Sequence, residues 1–154
     1  MVILSLYTTE IERFNLVRYK ELLQLQQDGK ISIPDENFRE LLGFQIDVDA
    51  HVTYNRKEVY CLLVENYLNK RITPTYFRSK CLEMANEDSK ISRQILQDFQ
   101  ELEGLSLSKN HKQFHEPMDE IAHLCRIYDG DTLESDFYSW VKSEFLKIAK
   151  NLSK

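Results

Sequence analysis

Apolar residues recur every three to four positions along most of the chain, the spacing of helices that bury one face. This pattern predicts helices over residues 10–28, 34–45, 56–69, 74–86, 90–103, 117–128 and 132–150. In the last of these, Leu133, Phe137, Trp140, Val141 and Phe145 share the apolar face, and core packing is the expected role of Trp140. In the third, the residues predicted to point inward are Val59, Leu62, Leu63 and Tyr67.

Residues typical of helix ends support these boundaries. Thr9 is predicted to cap the first helix, and Gly29 fits the left-handed position that follows its last turn. Thr73-Pro74 pairs an N-cap hydroxyl with proline at the first helical position. The remaining expected end signals are Asn55 as a cap, Gly104 as a stop, Pro117 as a start, and Asp131 with Glu134 as a capping box.

Three segments are predicted to interrupt the helices. Residues 47–54 alternate too weakly for a strand and are expected to form a linker. Residues 86–89, Asn-Glu-Asp-Ser, indicate a break or a new cap. Residues 105–115 are polar and irregular, which favours a surface loop.

A weak internal repeat joins the first two helical pairs. Tyr19-Lys-Glu-Leu-Leu, Gly29-Lys-Ile-Ser and Phe38-Arg parallel Tyr60-Cys-Leu-Leu-Val, Lys70-Arg-Ile-Thr and Phe77-Arg. This pattern predicts the same helical hairpin twice, either by duplication or because similar helix-start and helix-end residues arose independently.

Composition agrees with helices and limits the class of protein. Only 4 glycines and 3 prolines occur in 154 residues, fewer than sheet-rich folds need for their turns. No run approaches the roughly 20 apolar residues of a membrane span, and apolar Met1–Tyr7 is expected to dock as a tail on the body of the protein. Cys61, Cys81 and Cys125 are odd in number and form no CxxC motif, which predicts buried reduced thiols. We expect a cytoplasmic protein, with a plastid stroma as the alternative.

Negative charge is concentrated in one segment. The whole chain has a net charge of −5, which disfavours direct binding to nucleic acid. Residues 111–136 hold seven acids against Lys112 and Arg126. Such a segment is predicted to meet a basic partner protein, by steering and by contact, although helix capping, turn formation and solvation also explain acids of this kind. The seven predicted partner-binding residues are Glu116, Asp119, Glu120, Asp129, Asp131, Glu134 and Asp136.

The second half of the chain resembles a known family. Residues 62–77, Leu-Leu-Val-Glu-Asn-Tyr-Leu-Asn-Lys-Arg-Ile-Thr-Pro-Thr-Tyr-Phe, are similar to the opening helix, turn and Phe of the colicin D immunity protein family, also described as self-protective colicin-like immunity. Similarity resumes at residues 118–131, Met-Asp-Glu-Ile-Ala-His-Leu-Cys-Arg-Ile-Tyr-Asp-Gly-Asp, and at residues 138–148, Tyr-Ser-Trp-Val-Lys-Ser-Glu-Phe-Leu-Lys-Ile. It covers about residues 58–150.

The resemblance implies a compact antiparallel bundle and an acidic inhibitor that plugs the basic cleft of a nuclease toxin. By position, Asp129, Asp131, Glu134 and Asp136 correspond to the family's acidic turn. This chain departs from a minimal member by about 55 extra N-terminal residues and a longer middle, 88–115. The implied domains are a tail and helical hairpin over 1–55 and an immunity-like bundle over 56–154. The alternative is an accessory or assembly subunit that docks onto a larger complex, such as an organellar or photosynthetic one.

Other chemistries have weaker support in the sequence. His111, His115, Asp119 and His123 are spaced four apart like metal ligands on a helix, but Pro117 is expected to break that helix. Cys125 with His123 does not form a nucleophile and base, since residues two apart point to different sides of a helix. A helix-turn-helix using Arg78 and Lys80 conflicts with the acidic total. We therefore expect no catalytic residues, no cofactor and no metal.

Overall fold

The computed structural model describes residues 11–33 and 35–152, and it confirms an all-α helical bundle with one small sheet. Apolar stripes at helical spacing bury one face of each long helix, as the pattern predicts. The described elements are β1 (Ile11–Arg13), α1 (Leu16–Gln27), α2 (Glu36–Asn55), α3 (Lys57–Leu68), α4 (Pro74–Leu96), α5 (Phe99–Glu103), β2 (Ser106–Ser108), α6 (Lys109–Ile127) and α7 (Glu134–Leu152).

The two halves of the predicted repeat have the same local structure. Helices α1 and α3 each span 12 residues and precede a longer helix, α2 or α4. Each ends in a left-handed residue, Gly29 with φ 68° and Lys70 with φ 60°. The next residue in each copy donates its amide back across the turn, Lys30 to Leu25 and Arg71 to Asn66. This is the Schellman arrangement, and it satisfies carbonyls that the helix end leaves free.

The first helix begins later than predicted. Asn15, not Thr9, precedes α1, and its side chain accepts the backbone amide of Arg18 at 3.1 Å. The residues just before it form β1, which pairs antiparallel with β2 so that Glu12 faces Leu107. Thr9, the apolar tail Met1–Tyr7 and Pro34 lie outside the described residues.

The predicted linker at 47–54 is wrong, because α2 continues unbroken to Asn55. Val48, Ala50 and Val52 are all buried, so successive even positions face protein on more than one side. Helix α2 packs against α1, α4 and α6, and a helix with several neighbours has no single apolar stripe. Asn55 ends this helix and does not cap the next one.

The predicted break at 86–89 is also wrong. Helix α4 runs from Pro74 to Leu96, and its start is capped as predicted by Thr73, whose hydroxyl accepts the amide of Tyr76. Asp88 does not cap a helix. Its carboxylate accepts hydrogen bonds from Arg56, which directly precedes α3, and from Tyr60 within α3. A polar residue that has a tertiary partner need not compete with the helix backbone.

Two residues predicted to point inward from α3 face outward. Val59 is 51% exposed and Leu62 is 58% exposed, while Leu63 and Tyr67 are buried as predicted. On a helix, residues three apart share a face, so Val59 and Leu62 form a small apolar surface together.

Helix α6 passes through Pro117, where the sequence predicts a helix start, and the predicted loop at 105–115 is largely helix and strand. Proline removes the amide that would bond to the carbonyl four residues earlier, here that of Gln113. The side chain of Asn151 on α7 donates to that carbonyl at 3.4 Å. The buried proline is thus accommodated because a neighbouring helix supplies the missing donor.

The last helix is close to the prediction, but its apolar face is narrower. Helix α7 begins at Glu134, so Asp131 does not directly precede its first helical residue and is not the N-cap that a capping box requires. Phe137, Val141 and Ile148 are buried. Leu133 is largely exposed, and Trp140 is 45% exposed instead of buried in the core.

Two apolar clusters hold the helices together. The main core lies among α3, α4, α6 and α7, with Phe77, Phe114 and Phe137 among its fully buried side chains. The second core joins α1 and α2 to residues 95–107. Helix α6 packs against α2, α4 and α7 and so links the two cores. Within the described part of the chain, no helix has the length and apolar character to cross a membrane.

Candidate functional site

Three of the predicted partner-binding acids form a continuous stripe on the exposed face of α6. Glu116, Asp119 and Glu120 are spaced by three and four residues, so their side chains project from the same face. All three are exposed, and none forms an ion pair with a described residue. We call these three residues the acidic ridge.

A polar cavity of about 70 Å³ lies on one side of the ridge, between α2, α4 and α6. A volume of this size holds a few water molecules or the end of one side chain. Asp119 connects the cavity to the ridge. The polar side chains that line it are Asp49, Thr53, Tyr60, Asp88, Ser89, Ser92, His115, Asp119 and Arg126.

The two copies of the hairpin contribute matching residues to this cavity. The shift that aligns Phe38-Arg39 with Phe77-Arg78 also aligns Asp49 with Asp88 and Thr53 with Ser92. Each copy thus supplies one carboxylate and, one helical turn later, one hydroxyl. The cavity therefore forms where the equivalent faces of α2 and α4 meet.

Asp88 is fully partnered although it is only 5% exposed. The Arg56 guanidinium donates to it at 2.6 Å and pairs with Glu87 at 3.1 Å. The hydroxyl of Tyr60 also donates to Asp88. Burial, together with this hydrogen bond to Asp88, raises the pKa of Tyr60. The guanidinium and the phenol thus supply hydrogen-bond donors to both oxygens of the Asp88 carboxylate.

The other half of the cavity has fewer partners. Asp49 forms no ion pair with any described residue, and burial raises the pKa of its carboxyl. The nearby Ser92 hydroxyl and His115 oppose that rise in part, whereas Asp119 and Asp88 add to it. Ser92 is 3% exposed, and its oxygen completes no hydrogen bond of good geometry among the described residues. Thr53, in contrast, has the Nδ1 of His115 at 3.3 Å.

An apolar groove of about 320 Å³ lies on the opposite side of the ridge, between α6 and α7. Leu124, Ile127 and Trp140 form its apolar wall, and Glu120 and Glu144 line its edge. Ile127 is 52% exposed, so together with Trp140 it presents an apolar surface beside the acids. Exposed Trp residues surrounded by polar groups are typical anchors at protein interfaces.

The other four predicted acids lie beyond the C-terminal end of α6, two in the turn that follows it and two in the first turn of α7. Asp129, Asp131, Glu134 and Asp136 are all exposed and likewise form no ion pair with described residues. The Asp129 carboxylate accepts the amide of Asp131 and the hydroxyl of Thr132. Asp129 therefore closes the turn, and the structure separates the seven acids into the ridge and this turn.

Metal-ligand spacing does not produce a metal site. Helix α6 is continuous, so the proline argument against His111, His115, Asp119 and His123 is wrong. Even so, the described residues contain no group of three or more His, Cys, Asp and Glu side chains that could hold a metal ion. Successive positions four apart drift around a helix, which spreads four such residues over a broad arc.

Two further residues have structural roles. Cys125 is fully buried, as predicted, and its hydrogen bond to Cys81 together with burial raises its pKa. Cys61, expected to be buried, is half-buried. Arg78, which a DNA-reading helix would present to phosphate, donates to the carbonyl of Tyr128 at 3.0 Å and lies over its ring. Its guanidinium thus stabilises the C-terminal end of α6.

Sequence reasoning finds the ridge but misses Asp49, Asp88 and Ser92. The signal that could have found them is the repeat itself, extended past Phe38 and Phe77. Asp-x-x-x-Thr and Asp-x-x-x-Ser then stand at equivalent positions, one helical turn apart within each copy. Comparison of the chain with family models, with curated proteins and with solved structures finds no match.

Proposed function

We propose that this chain is a non-catalytic protein-binding module whose acidic ridge binds a basic surface on another protein. The observation that supports this proposal most strongly is the position of Glu116, Asp119 and Glu120. They are three exposed acids on one helix face, between a polar cavity and an apolar groove, and they form no ion pair with a described residue. Acids with no partner in the protein can pair with a basic surface without first breaking an ion pair. Trp140 adds an apolar anchor beside them.

The specific form of this proposal is an immunity-type inhibitor that occludes the basic cleft of a nuclease toxin. The resemblance over residues 58–150 suggests it, and the exposure of the turn acids Asp131, Glu134 and Asp136 supports it. Carboxylates presented on a rigid helix pair can stand where nucleic-acid phosphates stand in such a cleft. Under this proposal the chain binds protein and makes no direct contact with nucleic acid.

A second candidate is an accessory subunit of a larger assembly. The observation in its favour is the apolar surface of Val59 and Leu62 on α3, a helix that does not carry the acidic ridge. An apolar surface away from the acids suits a second contact, as a subunit with several neighbours would need. The material that copurifies with the chain distinguishes the two candidates. A single nuclease at equal stoichiometry would support the inhibitor, and a large complex would support the accessory subunit.

The test begins with affinity purification from the native source and mass spectrometry of what binds. Calorimetry then compares the wild type with the triple variant Glu116→Lys, Asp119→Lys and Glu120→Lys. We expect affinity for the partner to fall at least about tenfold, the size of effect of losing a few interfacial charge pairs. A second variant reverses Asp131, Glu134 and Asp136 but keeps Asp129, because Asp129 closes the turn.

The matched control reverses three exposed acids away from the ridge, Glu58, Glu65 and Glu103, which also form no ion pair with described residues. It changes net charge by the same amount, so it separates local contact from the overall field. Equal affinity of the ridge variant and this control, with helical content unchanged in both, would exclude the ridge as the binding surface. A nuclease partner whose RNA cleavage stops at one equivalent would support the immunity form.

A further inference from the structure

The cavity beside the ridge is satisfied on one half only. Asp88 has a guanidinium and a phenol, and Thr53 has an imidazole nitrogen. Asp49 and Ser92, the residues that match them in the other copy, have fewer partners. Asp49 forms no ion pair with a described residue, and the Ser92 oxygen, although it lies near the Asp49 carboxylate, completes no hydrogen bond of good geometry among those residues. Most buried polar groups in folded proteins are hydrogen-bonded, so a buried hydroxyl oxygen and a carboxylate without an ion pair, side by side in one cavity, are acceptors that a ligand with several donors could satisfy.

No cation of the described chain fills this place. Arg126 lines the cavity but forms no ion pair within 4 Å of any described acid. Arg56 is already held between Glu87 and Asp88. Asp49 and Asp119 therefore face the cavity as two carboxylates that form no ion pair with a described residue, although Arg126 lines the same cavity. This arrangement favours a cationic ligand over a neutral or anionic one.

The protein shows which cation suits a carboxylate at this position. The equivalent Asp88 is bound by a guanidinium that also reaches a second carboxylate, Glu87. A planar guanidinium has five donors in a fixed fork, which matches several acceptors around a small space. The cavity, at about 70 Å³, admits the end of a side chain but not a larger molecule. The described acids and histidines do not have the arrangement a metal ion needs.

We propose that this cavity binds the guanidinium group of an arginine side chain from the basic partner, held by the Asp49 and Asp119 carboxylates and the Ser92 hydroxyl. The identity of the ligand as an arginine of a partner protein rests on the proposed function, whereas the affinity of the cavity for a guanidinium group does not. The ridge gives general attraction, and the cavity selects arginine over lysine by its geometry. A compact ammonium lacks the planar fork and leaves one of these acceptors open.

The first test titrates the full chain with N-methylguanidinium and follows backbone amides by NMR. We expect saturable shifts confined to residues around Asp49, Ser92 and Asp119, with a dissociation constant on the order of millimolar for so small a ligand. Methylammonium should bind at least about fivefold more weakly, consistent with the fork geometry. N-methylurea, a neutral molecule of nearly the same shape, should give no saturable shift.

Two variants establish the site. Asp49→Asn keeps the shape of the side chain and removes its charge, and Ser92→Ala removes the open hydroxyl. We expect Asp49→Asn to weaken N-methylguanidinium binding at least tenfold and Ser92→Ala to weaken it severalfold. Glu58→Gln, on the exposed face of α3, should leave it unchanged. Absence of a saturable shift, equal binding by Asp49→Asn, or tighter binding of a divalent cation than of guanidinium would overturn the proposal.

The outcomes distinguish this inference from the proposed function. If N-methylguanidinium does not bind but reversing the charges of the ridge still lowers the affinity for the partner, only the proposal of an arginine site is wrong. If N-methylguanidinium binds and ridge reversal has no effect on the partner, only the proposed function fails. If N-methylguanidinium binds and ridge reversal weakens partner binding, Asp49→Asn should also lower the affinity of the chain for its partner. Replacing one arginine of that partner should then make the affinities of the wild type and Asp49→Asn equal.

Discussion

At the scale of single residues, Asp49 and Asp88 show how environment separates two equivalent side chains. Both lie on long helices at matching positions of the repeat, and both line the same cavity. Arg56 and Tyr60 donate hydrogen bonds to Asp88, whereas Asp49, whose pKa is raised by burial, forms no ion pair within the part of the chain that the structure describes. In the free protein, Asp49 therefore costs stability that a bound cation would recover.

We predict that Asp49→Asn raises the melting temperature at pH 7–8. A carboxyl whose folded pKa is raised destabilises the folded state when it is ionised, and this penalty is complete above the folded pKa. The stability gain from Asp49→Asn should shrink as the pH falls through that pKa, and it should vanish below the ordinary value of 3.8, where the carboxyl is protonated in both states. Calorimetric melting of both proteins across pH 4–8 measures it.

The control for this measurement is Asp131→Asn, at an exposed acid of the turn after α6. It should change the melting temperature little at any pH, since exposed charges without close partners contribute weakly. A lower melting temperature of Asp49→Asn at neutral pH would show that the Asp49 carboxylate already has a stabilising partner within the chain.

The sequence predicts the candidate site only in part, for reasons visible in single residues. Glu116, Asp119 and Glu120 stand out because local charge density can be read along the chain. Asp49 and Ser92 lie far apart in sequence, and only the packing of α2 on α4 brings them together. Trp140 has the spacing of a core residue, but the packing of α7 on α6 leaves it 45% exposed in the apolar groove beside Leu124 and Ile127.

At the scale of elements, local chemistry predicts helix ends well where the ending residue acts alone. Thr73 caps α4, Gly29 ends the turn after α1, and Gly104 follows α5, all as predicted. Prediction fails where a neighbouring helix satisfies a polar group. Arg56 donates a hydrogen bond to Asp88, and Asn151 donates one to the carbonyl that Pro117 leaves without a partner. Asp88 and Pro117 therefore do not interrupt their helices.

The two glycines of the first hairpin should respond oppositely to alanine. Gly43 lies inside α2 with no atom within 4 Å of an added Cβ, so Gly43→Ala should stabilise the protein by about 0.5–1 kcal/mol. Gly29 has φ 68°, which disfavours any side chain, so Gly29→Ala should destabilise it by about 1–2 kcal/mol.

Urea unfolding followed by circular dichroism measures both changes, and an unchanged slope would show that only stability has moved. Stabilisation by Gly29→Ala would contradict the left-handed turn after α1. Destabilisation by Gly43→Ala would show that the face of α2 around Gly43 is covered more tightly than the structure indicates.

At the scale of the whole molecule, the contact of α2 with α6 joins the main core to the second core. His51 on α2 and His111 on α6 meet there with ring centroids 5.4 Å apart. The Nδ1 atom of each ring is buried and forms no hydrogen bond among the described residues. Burial lowers the pKa of both rings, and His51 with Lys57 lowers that of His111 further. This contact therefore favours neutral imidazoles.

We predict that the free energy of unfolding falls as the pH is lowered below about 6.5, the ordinary pKa of histidine in model peptides. Below that pH the unfolded chain binds protons that the folded chain, with its lowered histidine pKa values, does not accept. Above it both states are neutral and stability is constant in this respect. Melting temperatures between pH 5.5 and 8 test this before most carboxylates titrate.

The variant His111→Gln should flatten this dependence, because it removes one of the two buried rings. His123→Gln, at an exposed position of the same helix, serves as the control and should leave the dependence as it is in the wild type. A slope that persists unchanged in His111→Gln would assign the pH effect to other groups.

The pairing of Glu12 with Leu107 has a consequence for the order of assembly. This two-stranded ladder closes a loop that contains α1 to α5, and contacts between residues so distant in sequence are entropically slow to form. The hairpins contain mostly local contacts and can collapse without it. We therefore expect the strands to pair after the helices have docked, so that they act as a late latch, and to be among the first contacts released in the native state.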